Sequence, residues 1–256
     1  MVKDVECAFS SWELQSDAVK VEPLRYAEVS KAVKSGVAAN LPDPLSRYLL
    51  YDNPDVNRSV FLDQRYRVIY SLGISDAVHR HVAFTVNHGD SLIILEPAPN
   101  SLPPKKCLER IAGAVRGTIV RYLELFNSKE QKKRSKEFKE QVEATLKTTI
   151  GDQVDDMMLL EGFCTTPDKQ GRGYGTALAK HVGAIADAQG RSTWLLSSNV
   201  ANTGYYENLD FWTVGEFSLG DNNPTWKKPP IIIRIMVRKP HDTAQDSDFE
   251  SVTEYK

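Results

Sequence analysis

Apolar residues recur at two different periods along the chain, and the period changes from one segment to the next. Alternating patterns and short apolar runs predict strands, which fall at 18–24, 81–86, 91–95, 157–163, 192–198 and 231–237. Apolar residues three and four positions apart predict helices, which fall at 26–38, at 45–79 with an interruption near Asn53-Pro54, at 105–149 as a pair, and at 174–185. Between two of the strands, Asn87-His-Gly-Asp90 is a hairpin signal.

The segment from Cys164 to Leu178 joins an apolar strand to an amphipathic helix through a glycine-rich loop. Glycines at alternate positions let the backbone approach a ligand closely and direct several N–H groups to one side. The start of the following helix adds unpaired N–H donors and the positive end of the helix dipole. This combination suits a pyrophosphate, and the alternative is an ordinary helix-capping loop.

The sequence of this segment does not match two other known patterns of phosphate-binding, glycine-rich loops. The phosphate loop of nucleotide triphosphatases needs Gly-x4-Gly-Lys-Ser/Thr, and the sequence has no such run. A dinucleotide fingerprint needs its third glycine where this chain has Thr176, and it must follow a strand directly. The pattern that remains is Gln/Arg-x-x-Gly-x-Gly/Ala, which Gln170, Gly173 and Gly175 satisfy.

A second block lies between Asn199 and Phe211, after the next predicted strand. It is similar to Asn-x-x-(Phe/Tyr)-Tyr-x-x-x-Gly-Phe, with Asp210 in place of the usual glycine. The two blocks together resemble the GNAT (Gcn5-related) N-acetyltransferase superfamily, and the resemblance is specific over about residues 155–217. The layout is most similar to the branch that includes puromycin N-acetyltransferase, whose end resembles Arg238-Lys-Pro240. Because aspartate tolerates a left-handed backbone better than most residues, we expect the turn at Asp210 to be kept.

The resemblance implies a fold and a domain organisation. It implies an α/β (α+β) fold with a central mixed, twisted sheet of about seven strands flanked by helices, in a single domain over residues 1–240. The helical pair at about 105–149 stands where the superfamily has only a short connection before its fourth strand. We interpret this pair as an insertion that covers or shapes the acceptor site. Residues 241–256 are acidic and polar, and we expect them to be a disordered tail.

The resemblance also implies a co-substrate, acetyl-coenzyme A (acetyl-CoA), and no metal. In the superfamily, main-chain groups of the fourth strand, the glycine loop and the asparagine block contact the coenzyme. Carried over by position, the residues expected to bind it are Phe163, Cys164, Thr165, Gln170, Gly171, Arg172, Gly173, Tyr174, Gly175, Thr176, Asn202 and Tyr206.

Two side chains are candidates for proton transfer. In the superfamily the second aromatic residue of the asparagine block, here Tyr206, faces the thioester sulfur, and we hypothesise that it is the general acid; the alternative is packing on the core face of its helix. Glu161 is the candidate base, through water, because it lies two positions before Phe163 and burial would raise its pKa. The alternative for Glu161 is an edge or salt-bridged carboxylate. Cys164 is expected to be a small buried residue and not a nucleophile.

Composition narrows the class of protein. The chain has 256 residues with a net charge of −2, so it does not favour broad nucleic-acid binding. No apolar run is long enough for a transmembrane helix, and the N-terminus lacks a signal-peptide core, so we expect no membrane partner. The three cysteines and five histidines show no disulfide or metal-ligand spacing, which fits a cytoplasmic location.

Three hypotheses for function follow. The first is an acetyl-CoA-dependent N-acetyltransferase that acts on a primary amine of a small molecule by direct attack in a ternary complex. The second keeps the chemistry and makes the acceptor a protein lysine or N-terminus. The third is a non-catalytic module that binds acyl-CoA. The sequence does not identify the acceptor amine, and it is compatible with both a monomer and a homodimer.

Overall fold

The computed structural model describes residues 19–52, 60–104 and 106–241. The predictions about the first seven residues, the interruption at 53–54 and residues 242–256 lie outside these ranges. The strands are β1 (Val21–Pro23), β2 (Ala83–Val86), β3 (Ser91–Glu96), β4 (Met158–Thr165), β5 (Thr193–Ser197), β6 (Trp212–Leu219) and β7 (Ile231–Arg238). The helices are α1 (Val29–Asn40), α2 (Pro44–Leu50), α3 (Val60–His79), α4 (Cys107–Glu124), α5 (Lys129–Thr149), α6 (Tyr174–Ala188) and α7 (Thr203–Glu207).

All seven strands form one mixed sheet in the order β1-β2-β3-β4-β5-β7-β6. Only β4 and β5 are parallel, and α6 makes the crossover between them. Strands β2 and β3 form the predicted hairpin, in which Asn87 and His88 have positive φ. The predicted mixed sheet of about seven strands, with a helical pair inserted before the fourth strand, is confirmed.

The two faces of the sheet bury separate cores. One face packs against α1 and α3, whose small and β-branched residues recur at helical spacing and surround Leu92, Ile94 and Cys164. The other face packs against α6, and its core includes Leu160 and Leu178. Residues on opposite sides of a strand alternate, so each inner strand contributes to both cores.

Strand β4 carries a β-bulge at Gly162. Cys164 pairs with Leu92 and Glu161 pairs with Ile94, so three steps along β4 match two steps along β3. Gly162 has φ +60°, which favours glycine, and a Cβ there would lie 2.9 Å from the Ile94 side chain. The bulge therefore reverses the alternation of side chains in the second half of the strand.

Strands β4 and β5 separate after two paired positions. Met158 pairs with Thr193 and Leu159 with Trp194, and no further pair joins the two described strands. Beyond Leu159, the edge of β4 that faces β5 has no strand partner. The result is a V-shaped opening in the middle of the sheet.

The inserted helix α5 is held by a buried guanidinium. The Arg134 side chain is 0% exposed, and it donates hydrogen bonds to the Glu130 carboxylate (3.0 Å), the Tyr48 carbonyl (3.0 Å) and the Thr225 hydroxyl (2.8 Å). Its guanidinium lies 4.8 Å from the Tyr48 ring centroid and 5.5 Å from that of Trp226. These contacts fix α5 to α2 and to the connection between β6 and β7.

Candidate active site

The opening between β4 and β5 forms a cleft of about 1010 Å³. Its walls come from the connection between α1 and α2, the bulged half of β4, the glycine loop with the start of α6, the end of β5, and α7. Every residue carried over as a site residue lines it except Arg172, which is exposed outside the cleft. The cleft is large enough for an elongated ligand of several hundred daltons.

The glycine loop forms one end of the cleft. Gly171 has φ +74° and Gly173 has φ +76°, so both need the left-handed conformation that glycine adopts without strain. A Cβ at either position would meet open space, which leaves their backbone accessible from the cleft. Gly173 precedes the first residue of α6, so the first N–H groups of this 15-residue helix have no carbonyl partner within the helix. This end of the cleft fits an anion such as a diphosphate.

Gly175 has a different reason to be glycine. A Cβ there would lie 2.8 Å from the Tyr205 hydroxyl and 3.4 Å from the Phe163 ring. That hydroxyl is buried, and it is not hydrogen-bonded to any described residue. Burial raises the pKa of Tyr205, and the nearby Thr176 side chain lowers it by a smaller amount. Tyr205 therefore packs tightly across the first turn of α6.

The open edge of β4 also lines the cleft. Beyond Leu159, its backbone groups that point toward β5 have no partner among the described strands. Unpaired backbone groups at a sheet edge accept an additional extended chain, and a pantetheine arm carries two amides that can pair in this way. The edge accordingly suits the part of acetyl-CoA that links the diphosphate to the thioester.

Tyr206 lies on α7 and also lines the cleft. Its ring packs against Phe163 (centroids 6.3 Å apart) and Phe211 (6.2 Å). Burial raises the pKa of Tyr206, and the neighbouring Tyr205 and the charge of Asp43 raise it further. Its hydroxyl therefore stays protonated at neutral pH, as a proton donor must. The helix ends in the expected left-handed turn, because Asp210 has φ +62°.

Glu161 lines the cleft, but the sequence argument about its face is wrong. It pairs with Ile94 and so projects toward α1 and α3, whereas the bulge turns Phe163 to the opposite face, beside Leu160. The carboxylate still contacts solvent, yet the surrounding protein partly desolvates it. This desolvation raises the pKa of Glu161, the charge of Glu96 raises it further, and Arg80 lowers it.

Cys164 is a buried thiol, as expected, and it lies in the core beneath α1 and α3. Burial raises the pKa of its thiol to about 12, so no thiolate forms at neutral pH. Tyr70 covers it, and the Tyr70 ring lies so close to α1 that a Cβ on Gly36 would be 2.3 Å from it. Tyr70 and Asn40 also line the cleft, and their hydroxyl and amide lie 3.4 Å apart.

Several lining residues come from parts of the chain without a motif. Asp43 is the N-terminal cap of α2, where its carboxylate accepts hydrogen bonds from the Ser46 N–H (2.8 Å) and the Ser198 hydroxyl (2.6 Å). It thereby ties the connection between α1 and α2 to the end of β5. The Asp-Pro signal predicts the cap, but the contact with Ser198 depends on the tertiary fold.

That the inserted helix pair covers or shapes the acceptor site stays a prediction, but the pair does not form a wall of this cleft. Among the described residues, no member of α4 or α5 lines it. Helix α4 packs on α3, and α5 packs on β6, where the Thr145 and Thr149 methyl groups fit against Gly215. Trp226 likewise lies outside the cleft, in a smaller pocket of about 360 Å³ that shares Pro42, Ser198 and Asn199 with it.

Comparisons with known proteins agree with this geometry. Residues 110–211 match the family model described as the acetyltransferase (GNAT) family, so the chain contains a GNAT acetyltransferase domain. No curated protein matches the sequence significantly. The match ends at Phe211, the last residue of the asparagine block.

Solved structures share the fold over most of their length. A histone acetyltransferase HPA2 and related acetyltransferase from Corynebacterium glutamicum is 16% identical, with a TM-score of 0.51 over 87% of this chain and 97% of that one. A mosquito arylalkylamine N-acetyltransferase like 5b is 12% identical, with a TM-score of 0.52 over 87% and 100%. A polyamine N-acetyltransferase from Drosophila melanogaster is 12% identical, with a TM-score of 0.51 over 86% and 99%. At these identities the similarity establishes the GNAT fold.

Two further properties concern residues 19–52, 60–104 and 106–241, which the structure describes. None of the described helices is both long and apolar enough to cross a membrane. Within the same ranges, no three His, Cys, Asp or Glu side chains are grouped so that they could hold a metal ion.

Proposed function

We propose that this protein transfers an acetyl group from acetyl-CoA to a primary amine of a small molecule, by direct attack in a ternary complex. The observation that carries the proposal is the single cleft that joins the glycine loop, the open edge of β4 and Tyr206. In the proposed complex these three features contact, in this order, the diphosphate, the pantetheine and the thioester. Phe163, Cys164 and Thr165 would provide the backbone edge, and Asn202 and Tyr206, which both line the cleft, would contact the coenzyme near the thioester.

The residues at the reacting end have complementary roles. Glu161 accepts a proton from the incoming ammonium through water. Its raised pKa reduces the difference between its own pKa and that of the ammonium that it must deprotonate. The neutral nitrogen then adds to the thioester carbon and gives a tetrahedral oxyanion. When this oxyanion collapses, the carbon–sulfur bond breaks and Tyr206 donates its hydroxyl proton to the departing sulfur, while the second proton of the nitrogen leaves through water and restores the Tyr206 hydroxyl. The products are the neutral amide and free coenzyme A. Backbone N–H groups at the open edge of β4 stabilise the oxyanion between these steps.

The proposal of a small-molecule acceptor is supported by the smaller pocket that adjoins the cleft through Pro42, Ser198 and Asn199. This pocket of about 360 Å³ has mostly apolar walls, among them Trp226 and Ile231. Such a volume is at the lower end for small-molecule sites, and apolar walls favour the neutral form of an amine. Several proteins of the same fold are named for arylalkylamine and polyamine acceptors, which supports the same class of acceptor here.

Thiol release from acetyl-CoA, measured with a panel of amines, tests this proposal. The panel should contain arylalkylamines, polyamines, and lysine-bearing and N-terminal peptides at equal amine concentration. We expect amine-dependent thiol release that is fastest with a small amine. Release only with peptides would favour a protein acetyltransferase. Tight binding of acetyl-CoA without release by any amine would favour a non-catalytic binding module.

A further inference from the structure

Helix α4 presents its apolar stripe to solvent. The stripe consists of Leu108, Ile111, Val115, Ile119, Tyr122 and Phe126, whose side chains are between 39% and 79% exposed. None of the 18 residues of α4, all of which the structure describes, is fully buried. An amphipathic helix normally turns its apolar stripe toward its own core. Here the opposite side of the helix faces α3, where Arg116 forms an ion pair with Asp76.

The exposed surface is larger than a monomer usually carries. Leu125 is 68% exposed beside the stripe, and Phe61 on α3 extends it, with its ring centroid 5.5 Å from that of Phe126. At roughly 100 Å² for each of these eight half-exposed side chains, the patch is on the order of 800 Å². The largest apolar patch of a typical monomer is about 300–600 Å², whereas each side of a stable interface buries about 800 Å².

The spacing of the stripe suits a second helix. Its members follow one another at intervals of three, four, four, three and four residues. The first three intervals add up to eleven residues, and the pattern then begins again. Such a repeat keeps the apolar positions on one side along the whole helix, so a straight partner helix can contact every one of them. Ala112 is a small exposed residue at the flank of the stripe, and it lets a partner backbone come close.

The charges on α4 favour a copy of the same surface. Between Arg110 and Arg121 the only charged residue is Arg116, and its charge is paired with Asp76. In a symmetric dimer the same patch of the two copies meets at the two-fold axis. Because the middle of the α4 stripe carries no unpaired charge, like charges do not meet there. A helix that lies on a membrane has a polar face rich in lysine and arginine, whereas α4 carries Glu109 and Glu124 beside its arginines.

We infer that α4 is a homodimer interface, in which the stripes of two copies pack against each other about a two-fold axis near Val115 and Ile119. The insertion would then serve assembly and not the cleft, which none of its described residues lines. The inference does not depend on the acetyl-transfer proposal.

Sedimentation-velocity ultracentrifugation of the full chain between 1 and 100 µM tests the interface. The variants are Val115→Glu at the centre of the stripe and Ala114→Glu as a matched control on the same helix, beside the stripe. Because both positions are exposed, both variants should keep the circular dichroism and melting temperature of the native chain. We expect a native dimer, a dimerisation constant weakened by roughly 100-fold or more in Val115→Glu, and a change of less than about threefold in Ala114→Glu.

Three results would overturn the inference. The native chain could sediment as a monomer at 100 µM, which would mean that another segment or another partner covers the stripe. A dimer could persist unchanged in Val115→Glu, which would place the interface elsewhere. A monomer could also bind vesicles of phosphatidylcholine and phosphatidylserine in a manner that Val115→Glu abolishes, which would make α4 a membrane-surface helix.

Discussion

Leu159 and Trp194 form the last paired position between the two parallel strands, and the sheet opens immediately beyond them. Two local features lie beside the opening. The bulge at Gly162 shifts the pairing of β4 with β3, and the Asp43 carboxylate holds the connection between α1 and α2 against Ser198, just after the end of β5. The cleft therefore lies where the hydrogen-bonded ladder between the two parallel strands stops. Main-chain groups of β4 line it together with side chains.

Changing Tyr206 to Phe should lower kcat by roughly 10²- to 10⁴-fold with little change in the KM for acetyl-CoA, because only the proton donor is lost. Steady-state kinetics with the best amine of the panel measure the effect. Tyr205→Phe is the matched control: its hydroxyl is buried without a hydrogen bond, so its removal should leave the melting temperature unchanged or higher. Full activity in Tyr206→Phe would remove the tyrosine from the mechanism.

Changing Gly173 to Ala should weaken acetyl-CoA binding by about tenfold or more. Alanine at φ +76° costs about 1–2 kcal/mol, and the strain moves the backbone that faces the diphosphate. Gly117→Ala is the control, because a Cβ at that position of α4 meets nothing within 4 Å. It should stabilise the helix by about 1 kcal/mol without changing acetyl-CoA affinity, as measured by calorimetry and urea unfolding. Equal affinities in the two variants would argue against the loop as the phosphate site.

The pH dependence of kcat/KM should have an acidic limb that belongs to Glu161. Since the pKa of this carboxyl is raised, the limb should lie above the ordinary glutamate value, and activity should fall as the pH drops through it. Glu161→Gln should abolish the limb. Glu96→Gln removes a negative charge that raises the pKa of Glu161, so it should move the limb to lower pH. A profile that is the same in all three proteins would exclude Glu161 as the base.

Changing Arg134 to Met should destabilise the protein by about 3–5 kcal/mol, because it leaves Glu130 without its buried cation and breaks the contacts with Tyr48 and Thr225. The midpoint of urea unfolding measures the loss. Lys133→Met, at the exposed neighbouring position, should change the stability by less than about 0.5 kcal/mol. If Arg134→Met also lowered the free energy of unfolding by less than about 0.5 kcal/mol, α5 would be held mainly by its packing against β6.

The elements of the fold could be predicted from the sequence because their signals are local. The hairpin at Asn87–Asp90 and the left-handed turn at Asp210 both appear in the structure. The direction of the α4 stripe could not be predicted, because periodicity defines a face of a helix and does not say what covers it. The bulge was missed although Gly162 within a strand pattern was a usable signal, and this omission placed Glu161 and Phe163 on one face.

Some residues of the candidate site could likewise be predicted from local sequence signals, and others could not. The glycine loop and the asparagine block are continuous in sequence, so their residues could be named before their positions were known. Asp43, Asn40 and Tyr70 line the same cleft from α1, α2 and α3, and their approach depends on long-range packing such as the contact between Tyr70 and Gly36. Residues that line this cleft from outside the two blocks are therefore the ones that sequence motifs miss.

Isothermal titration calorimetry of the purified chain with acetyl-CoA and with S-acetylpantetheine tests the central claim most directly. The two ligands share the thioester and the pantetheine arm, but only acetyl-CoA carries the diphosphate that the loop around Gly171 and Gly173 is proposed to bind. We expect a Kd for acetyl-CoA of about 1–100 µM, in the usual range for enzyme substrates, and binding of S-acetylpantetheine weaker by roughly 100-fold or more. No binding of acetyl-CoA, or equal affinity for both ligands, would contradict the account.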